Sequence, residues 1–323
     1  MSYIFFALLA GTLAAFTGAI DGYILHSVLR TTWSGGGYER REFVHAIFAG
    51  WTGVVVTLVL TIIMTEIRLP PVSLLPYLLL TGSWGAIATI AYLSAQRGTA
   101  GASPDLINSL RRAGLLFVLV SAFLFLNEPL DWRIIGLGIM VVVGAVMVSL
   151  RGTVGALRPK TLFSQLDART FVLIFVVGNV IRAGNSTLDK WLLTSRDLDP
   201  ILYRLWSFTS LIVCLTLISG AMLIRGRVPV HKIVSRRYFL WATLLMFVMF
   251  GANVSFNFAI KQGPLTISSI LGLVSVPVAF GVRRVGVRFR PDVFQQDREV
   301  LLVKGAGAVL IVMAIATIMW MYR

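Results

Sequence analysis

The chain has 323 residues, 57% of them hydrophobic and only 13% charged, with a mean hydropathy of +0.84 and a formal net charge of +15. That balance excludes a water-soluble globular domain, and the positive charge does not point to DNA or RNA, because most of it lies in short stretches between long apolar runs. The composition is that of a multi-pass membrane protein, in which each spanning helix needs about 20 mostly apolar residues.

Run length and charge spacing predict ten spans, over 3–29, 43–65, 72–95, 103–126, 132–150, 170–193, 200–224, 238–260, 265–282 and 299–321. Breakers separate them, among them Gly35-Gly36-Gly37, Pro70-Pro71, Glu128-Pro129, Pro200 and Gly263-Pro264. The first run lacks a basic start and is longer than a secretory core, so it is expected to be a retained helix rather than a cleaved signal. The single cysteine, Cys214, lies in an apolar run and has no disulfide partner. If loops alternate sides, those after spans one, three, five, seven and nine hold 19 lysines and arginines, against five on the other face (Arg68, Arg133, Arg196, Lys261 and Arg323). By the positive-inside rule the crowded face is cytoplasmic and both termini lie outside. The remaining basic residues, Arg111, Arg112, Arg182, Lys190 and Arg204, sit inside apolar runs.

Sliding the second half back by about 165 to 169 residues brings Asp21 onto Asp189, Gln96-Arg97-Gly98 onto Lys261-Gln262-Gly263, and Gly136-x-Gly138 onto Gly305-x-Gly307. The expected organisation is a first repeat over 1–152, a basic connecting loop over 153–169 and a second repeat over 170–323. Five helices per repeat is an odd number, so the two copies run in opposite directions, as in many secondary transporters. The paired glycines Gly136/Gly138 and Gly305/Gly307, with Gly144 further on, are expected to permit tight packing of spans five and ten.

The two-by-five plan, the Asn127-Glu128-Pro129-Leu130 turn closing span four and the glycine-rich fifth span resemble the EamA-type members of the drug/metabolite transporter superfamily. The resemblance implies an all-α bundle of ten transmembrane helices and transport of a small metabolite. The second half departs from the pattern: the equivalent of Glu128 falls near Gln296 or Asp297, and a basic stretch over 283–290 stands where a short turn is expected. Members with ten helices are drawn with both termini in the cytoplasm, opposite to the charge count.

Polar groups inside the spans locate the candidate site. An arginine facing lipid costs at least ~3 kcal/mol, so intramembrane charges face a bundle interior or a watery cavity. On span six Asn179, Arg182, Ser186 and Asp189 fall at steps of three, four and three and share one face. Span four carries Asn108, Arg111 and Arg112, with Arg112 expected toward the cavity and Arg111 toward a neighbouring helix. Asp21 ends span one as the counterpart of Asp189, and both are candidates for proton coupling or for ion pairing with the arginines. Tyr92 and Gln96 on span three, Tyr203 on span seven, and Asn253, Asn257 and Lys261 on span eight complete the set of possible substrate ligands. Arg204 and Trp206 read as interfacial anchors. Glu128 reads as a helix-boundary residue. His26, His45 and His231 are scattered, without metal-ligand spacing.

The three deep arginines outnumber the two deep aspartates, and an uncompensated buried charge is costly. Guanidinium forks suit phosphate and carboxylate. The expected function is therefore a secondary transporter of a small anionic or phosphate-bearing metabolite, multi-pass in a bacterial or archaeal cell (inner) membrane, as a monomer or homodimer. No nucleophile motif or phosphate loop points to an enzyme, and no cofactor or metal is expected. A flippase for a lipid-linked phosphate and a non-transporting membrane scaffold subunit stay open as alternatives.

Overall fold

Burying a peptide group in hydrocarbon without a hydrogen bond costs several kcal/mol, so a chain this apolar folds as helices. A computed structural model describes residues 2–24, 28–29, 38–98, 111–129, 131–149, 172–225, 235–289 and 298–322. Among the described residues there is no strand. The helices are α1 (Ser2–Tyr23), α2 (Tyr38–Met64), α3 (Leu75–Gly98), α4 (Gly114–Leu126), α5 (Trp132–Ser149), α6 (Ile181–Ser195), α7 (Pro200–Arg225), α8 (Arg236–Gln262), α9 (Leu265–Gly272), α10 (Ser275–Phe289) and α11 (Arg298–Met321). A π-helical segment, Val172–Val180, leads directly into α6. Seven stretches are long and apolar enough to cross a membrane, and two shorter apolar helices, Gly114–Leu126 and Trp132–Val148, accompany them.

The outward faces are as apolar as the core, as lipid demands. On α2, Val55, Val59, Ile62 and Ile63 are exposed, whereas Thr57 and Thr61 turn inward and are buried. This inverts the usual amphipathic pattern. Helix α1 packs on α8 and against α9 and α10; the π-segment and α6 pack on α3, and α6 on α4; α7 packs on α2 and α3, α8 on α2, and α5 on α11. The connections around 66–71, 127–131, 196–199 and 262–264 gather at one end with both termini: the Ser2 hydroxyl donates to Gln262 (2.5 Å), and Trp206 Nε1 donates to the Arg68 carbonyl (3.1 Å).

Three interruptions fall inside predicted spans. Arg111 and Arg112 form a helical turn that ends at Ala113, and α4 starts at Gly114 with no side-chain cap. Thirteen residues rise only about 20 Å, short of a bilayer core. Span six begins as a π-helix, a form that concentrates at functional sites. Span nine breaks between α9 and α10 at Leu273-Val274. Helix α10 then continues to Phe289, so most of the basic stretch expected as a loop over 283–290 is helical. The proposed basic connecting loop, 153–169, lies outside the described residues.

The Asn-Glu-Pro turn has a physical account. Asn127 takes the left-handed conformation (φ 52°) that closes a helix, and the N–H of Glu128 donates back to the Ala122 carbonyl (3.3 Å). The buried Glu128 carboxylate then accepts from the Leu265 N–H (2.5 Å), the Thr266 N–H (3.0 Å) and the Thr266 hydroxyl (2.8 Å), capping α9 after Pro264. Lys190 donates to the Ile260 carbonyl and to that of Gly263 (2.7 Å), closing the end of α8. One junction thus satisfies both helix ends at Gly263-Pro264.

Of the glycines expected in the seam between α5 and α11, two make the backbone contact. A Cβ on Gly144 would lie 2.6 Å from the Gly307 carbonyl oxygen, and one on Gly307 2.6 Å from that of Gly144, whereas Gly136 and Gly305 face open space. The closest approach therefore pairs Gly307 with Gly144, and Gly138 meets Leu119 instead.

Two outcomes follow for thermal unfolding in detergent. Gly144→Ala lowers the apparent Tm, because a backbone carbonyl cannot yield, while Gly136→Ala is neutral or raises it by the better helix propensity of alanine, about 1 kcal/mol. Glu128→Ala loses about 1 to 2 kcal/mol of capping, and Glu128→Gln, which keeps one accepting oxygen, loses less.

Candidate functional site

Groups from four separate elements converge beside the break in span four. The Arg111 guanidinium lies over the Tyr92 ring, 4.8 Å from its centroid. The Tyr92 hydroxyl donates to Asn179 Oδ1 (2.8 Å) on the π-segment. Arg182, Arg112 and Asp21 are close enough to act electrostatically on Arg111. Two glycines permit this: a Cβ on Gly178 would sit 2.5 Å from the Tyr92 ring, and one on Gly114 would sit 2.9 Å from Asn179 Oδ1. Arg111 and Arg182 are exposed to a water-sized probe, while Tyr92 and Asn179 are buried. Among the described residues neither Arg111 nor Arg182 forms an ion pair with a carboxylate.

Asp21 has a different partner. His45 Nε2 is 2.8 Å from Asp21 Oδ1, and His45 Nδ1 is 2.9 Å from the Tyr238 hydroxyl. The His45 side chain is 7% exposed and that of Asp21 45%. A lone histidine in an apolar run carries no local signature; its partners lie 24 residues before it and 193 after it.

Asp189 belongs to a second cluster. The buried Tyr203 hydroxyl donates to Asp189 Oδ1, and Arg204 lies within electrostatic reach of both. Arg204 is not an interfacial anchor: its guanidinium stacks on the Phe208 ring, 4.3 Å from the centroid, and its buried Nε has no hydrogen-bond partner. The stripe on span six thus contributes Asn179 and Arg182 to one cluster and Asp189 to another.

Of the span-eight candidates, Asn257 and Lys261 tie their helix to neighbouring segments, while Asn253 bonds within it. Asn253 donates to the Met249 carbonyl of its own helix (2.6 Å), and Asn257 to the Pro200 carbonyl (3.1 Å). Lys261 donates to the Leu198 carbonyl (3.0 Å) and pairs with Asp197 (2.7 Å), whose exposed carboxyl it holds below the usual carboxylate range. Lys261 sits at the end of the bundle where both termini gather, where a cavity of about 470 Å³ opens among Glu128, Lys190, Trp191, Thr194 and Lys261. Asn108, His26 and His231, and the side chain of Gln96, lie outside the described residues.

The Tyr203 hydroxyl is the hydrogen-bond donor to Asp189, and an unsatisfied buried carboxylate costs about 1 to 3 kcal/mol. Tyr203→Phe is expected to lower stability by that order, and adding Asp189→Asn to recover part of it. Thermal unfolding of the four proteins of the double-mutant cycle measures the coupling.

No protein-family model and no curated protein matches the chain. A solved structure known only as "Crystal structure of protein" superposes with a TM-score of 0.65 at 16% sequence identity, over 96% of this chain and 96% of that one. At that identity the likeness shows a shared fold alone.

Proposed function

We propose that the chain is a ten-span secondary transporter of two inverted five-helix repeats, which moves a small organic anion bearing phosphate or carboxylate through the space between α1, α3, α4 and α6. The observation that carries this reading is the pair Arg111 and Arg182. They come from different elements and have no carboxylate in ion-pair contact among the described residues, while Asp21 is engaged by His45. Two adjacent guanidinium groups repel unless an anion joins them, and their planar forks fit a phosphate or carboxylate.

The helix contacts support the repeat. Exchanging each span with the one five later turns the packing of α1 on α8 into that of α6 on α3, and the packing of α7 on α3 into that of α2 on α8. It turns α6 on α4 into α1 on α9 and α10, and it maps the α5–α11 pair onto itself, with the reciprocal contact of Gly144 and Gly307. The broken spans four and nine correspond under the same exchange, and interrupted helices at matching positions in the two halves mark substrate sites in inverted-repeat transporters. The turn at Glu128 and the glycine-rich span that follows agree with an EamA-type drug/metabolite transporter. With the charge-poor connections gathered at one end, the positive-inside rule puts that end, and both termini, outside an inner membrane.

Reconstituted into liposomes, the protein is expected to take up one or more members of a panel of sugar phosphates, nucleotides and dicarboxylates. Arg111→Gln and Arg182→Gln each weaken the apparent affinity by roughly tenfold to a hundredfold, the value of one charge-assisted hydrogen bond. Uptake that is unchanged in both variants would falsify the anion site. Thermal stabilisation by a polyprenyl phosphate, with none of the soluble anions transported, transfers the site to a lipid-linked phosphate.

A further inference from the structure

The cavity at the end of the bundle where both termini gather is lined by none of the arginines of the candidate site. Its volume of about 470 Å³ is in the range that takes a small ligand, and its walls are the last turns of α4, α6 and α8 with the Gly263-Pro264 turn. Two ammonium groups from different helices border it, Lys190 of α6 and Lys261 of α8. Lys190 is half-buried and spends two of its three N–H donors on backbone carbonyls, those of Ile260 and Gly263. Those acceptors are neutral, and among the described residues no carboxylate forms an ion pair with Lys190. Lys261 gives one donor to the Leu198 carbonyl and one to Asp197. The Asp197 side chain is 89% exposed, and an ion pair that open to water is worth little. Each ammonium keeps a third donor.

We propose that this cavity binds a phosphate group held between Lys190 and Lys261. Two ammonium groups around one small space repel until an anion joins them, and a compact point charge with a free N–H suits the several oxygens of a phosphate. The cavity lies where spans four, six and eight end, which is the depth at which a bilayer carries its phosphates. Its rim is apolar on one side. Phe125 is 72% exposed and continues the outward face that α4 presents through Val120 and Leu124, so the chains of a lipid whose headgroup enters the cavity have a surface to follow. A soluble phosphate ester would reach the same two ammonium groups from the aqueous side.

The neighbouring carboxylates do not take the place of that anion. Glu128 also lines the cavity, but its two oxygens accept three hydrogen bonds from the start of α9. Asp199 accepts from the Ile201 and Leu202 N–H groups at the start of α7 (2.8 and 2.9 Å). Both are committed to helix starts, where the positive end of the dipole already meets their charge. A third cation stands close by: the Arg196 guanidinium lies 5.6 Å from the centroid of the Trp191 ring, which is part of the cavity wall, and it has no ion pair among the described residues.

The experiment is thermal unfolding of the full chain, delipidated in detergent, with dioleoyl phosphatidylglycerol, dioleoylglycerol or sodium phosphate added at constant ionic strength. Phosphatidylglycerol is expected to raise the apparent Tm, since a ligand that binds only the folded state stabilises it, and dioleoylglycerol is not. Lys261→Gln weakens the apparent affinity roughly tenfold to a hundredfold, the value of one charge-assisted hydrogen bond. Lys190→Gln does the same, and Lys261→Gln serves alone if Lys190→Gln, which also loosens the end of α8, fails to fold. Arg111→Gln and Arg182→Gln leave the affinity unchanged, which separates this cavity from the arginine site and leaves that site to its own uptake test. Stabilisation by sodium phosphate with the same dependence on Lys261 assigns the cavity to free phosphate, and stabilisation by phosphatidylglycerol alone assigns it to a lipid headgroup. Equal stabilisation by dioleoylglycerol, none by either phosphate, or a response that Lys261→Gln leaves unaltered or the arginine variants abolish, overturns the proposal.

Discussion

The bundle depends on satisfying peptide groups where a helix must end near lipid. At Gly263-Pro264 the chain turns from α8 into α9, and Pro264 has no N–H to offer. Glu128 supplies the acceptor for the start of α9 and Lys190 the donors for the end of α8. These two side chains come from other spans, so the same bonds tie the α4–α5 turn and α6 to the α8–α9 junction. A carboxylate at a helix start and an ammonium at a helix end also complement the helix dipoles. Their own charges lie close enough to act on one another.

Interrupted helices within a bilayer need protein around the freed backbone groups. Gly11 illustrates the requirement: a Cβ there would lie 2.6 Å from Val274, against the break in span nine. Gly114 and Gly178 do the same for Asn179 and Tyr92 beside the break in span four. Close packing of backbone at these points leaves room for guanidinium groups that a regular helix in lipid would not tolerate. The aromatic face of Tyr92 under Arg111 contributes a further stabilisation of the cation, about 0.5 to 2 kcal/mol depending on how far water is excluded.

Charge in the interior is divided by partner chemistry. Asp189 meets a tyrosine and a permanently charged arginine, Asp21 meets a histidine, and Arg111 and Arg182 meet neither. The six polar candidates of α6 and α8 with described side chains accordingly separate into a site, a buried carboxylate cluster and a set of helix ties. In membranes a hydrogen bond between helices is worth only about 0.6 kcal/mol, which suits the role of Asn257.

The sequence by itself determined the membrane class and the positions of most helices, because bilayer thickness imposes run length. It also marked the Asn-Glu-Pro turn as a boundary. Tertiary structure decided the rest. Periodicity placed Asn179, Arg182 and Asp189 on one stripe, but it could not say that their neighbours differ. Helical angles alone pointed Arg111 to a neighbouring helix, and the structure shows that neighbour to be α3, whose Tyr92 ring lies under the guanidinium. Gly144 rather than Gly136 meets α11, and His45 acquires Asp21 and Tyr238 from helices far away in the chain. Local pattern reports which residues share a face; which groups meet across faces depends on helix packing, and a break or a π-turn of a single residue redirects every side chain beyond it.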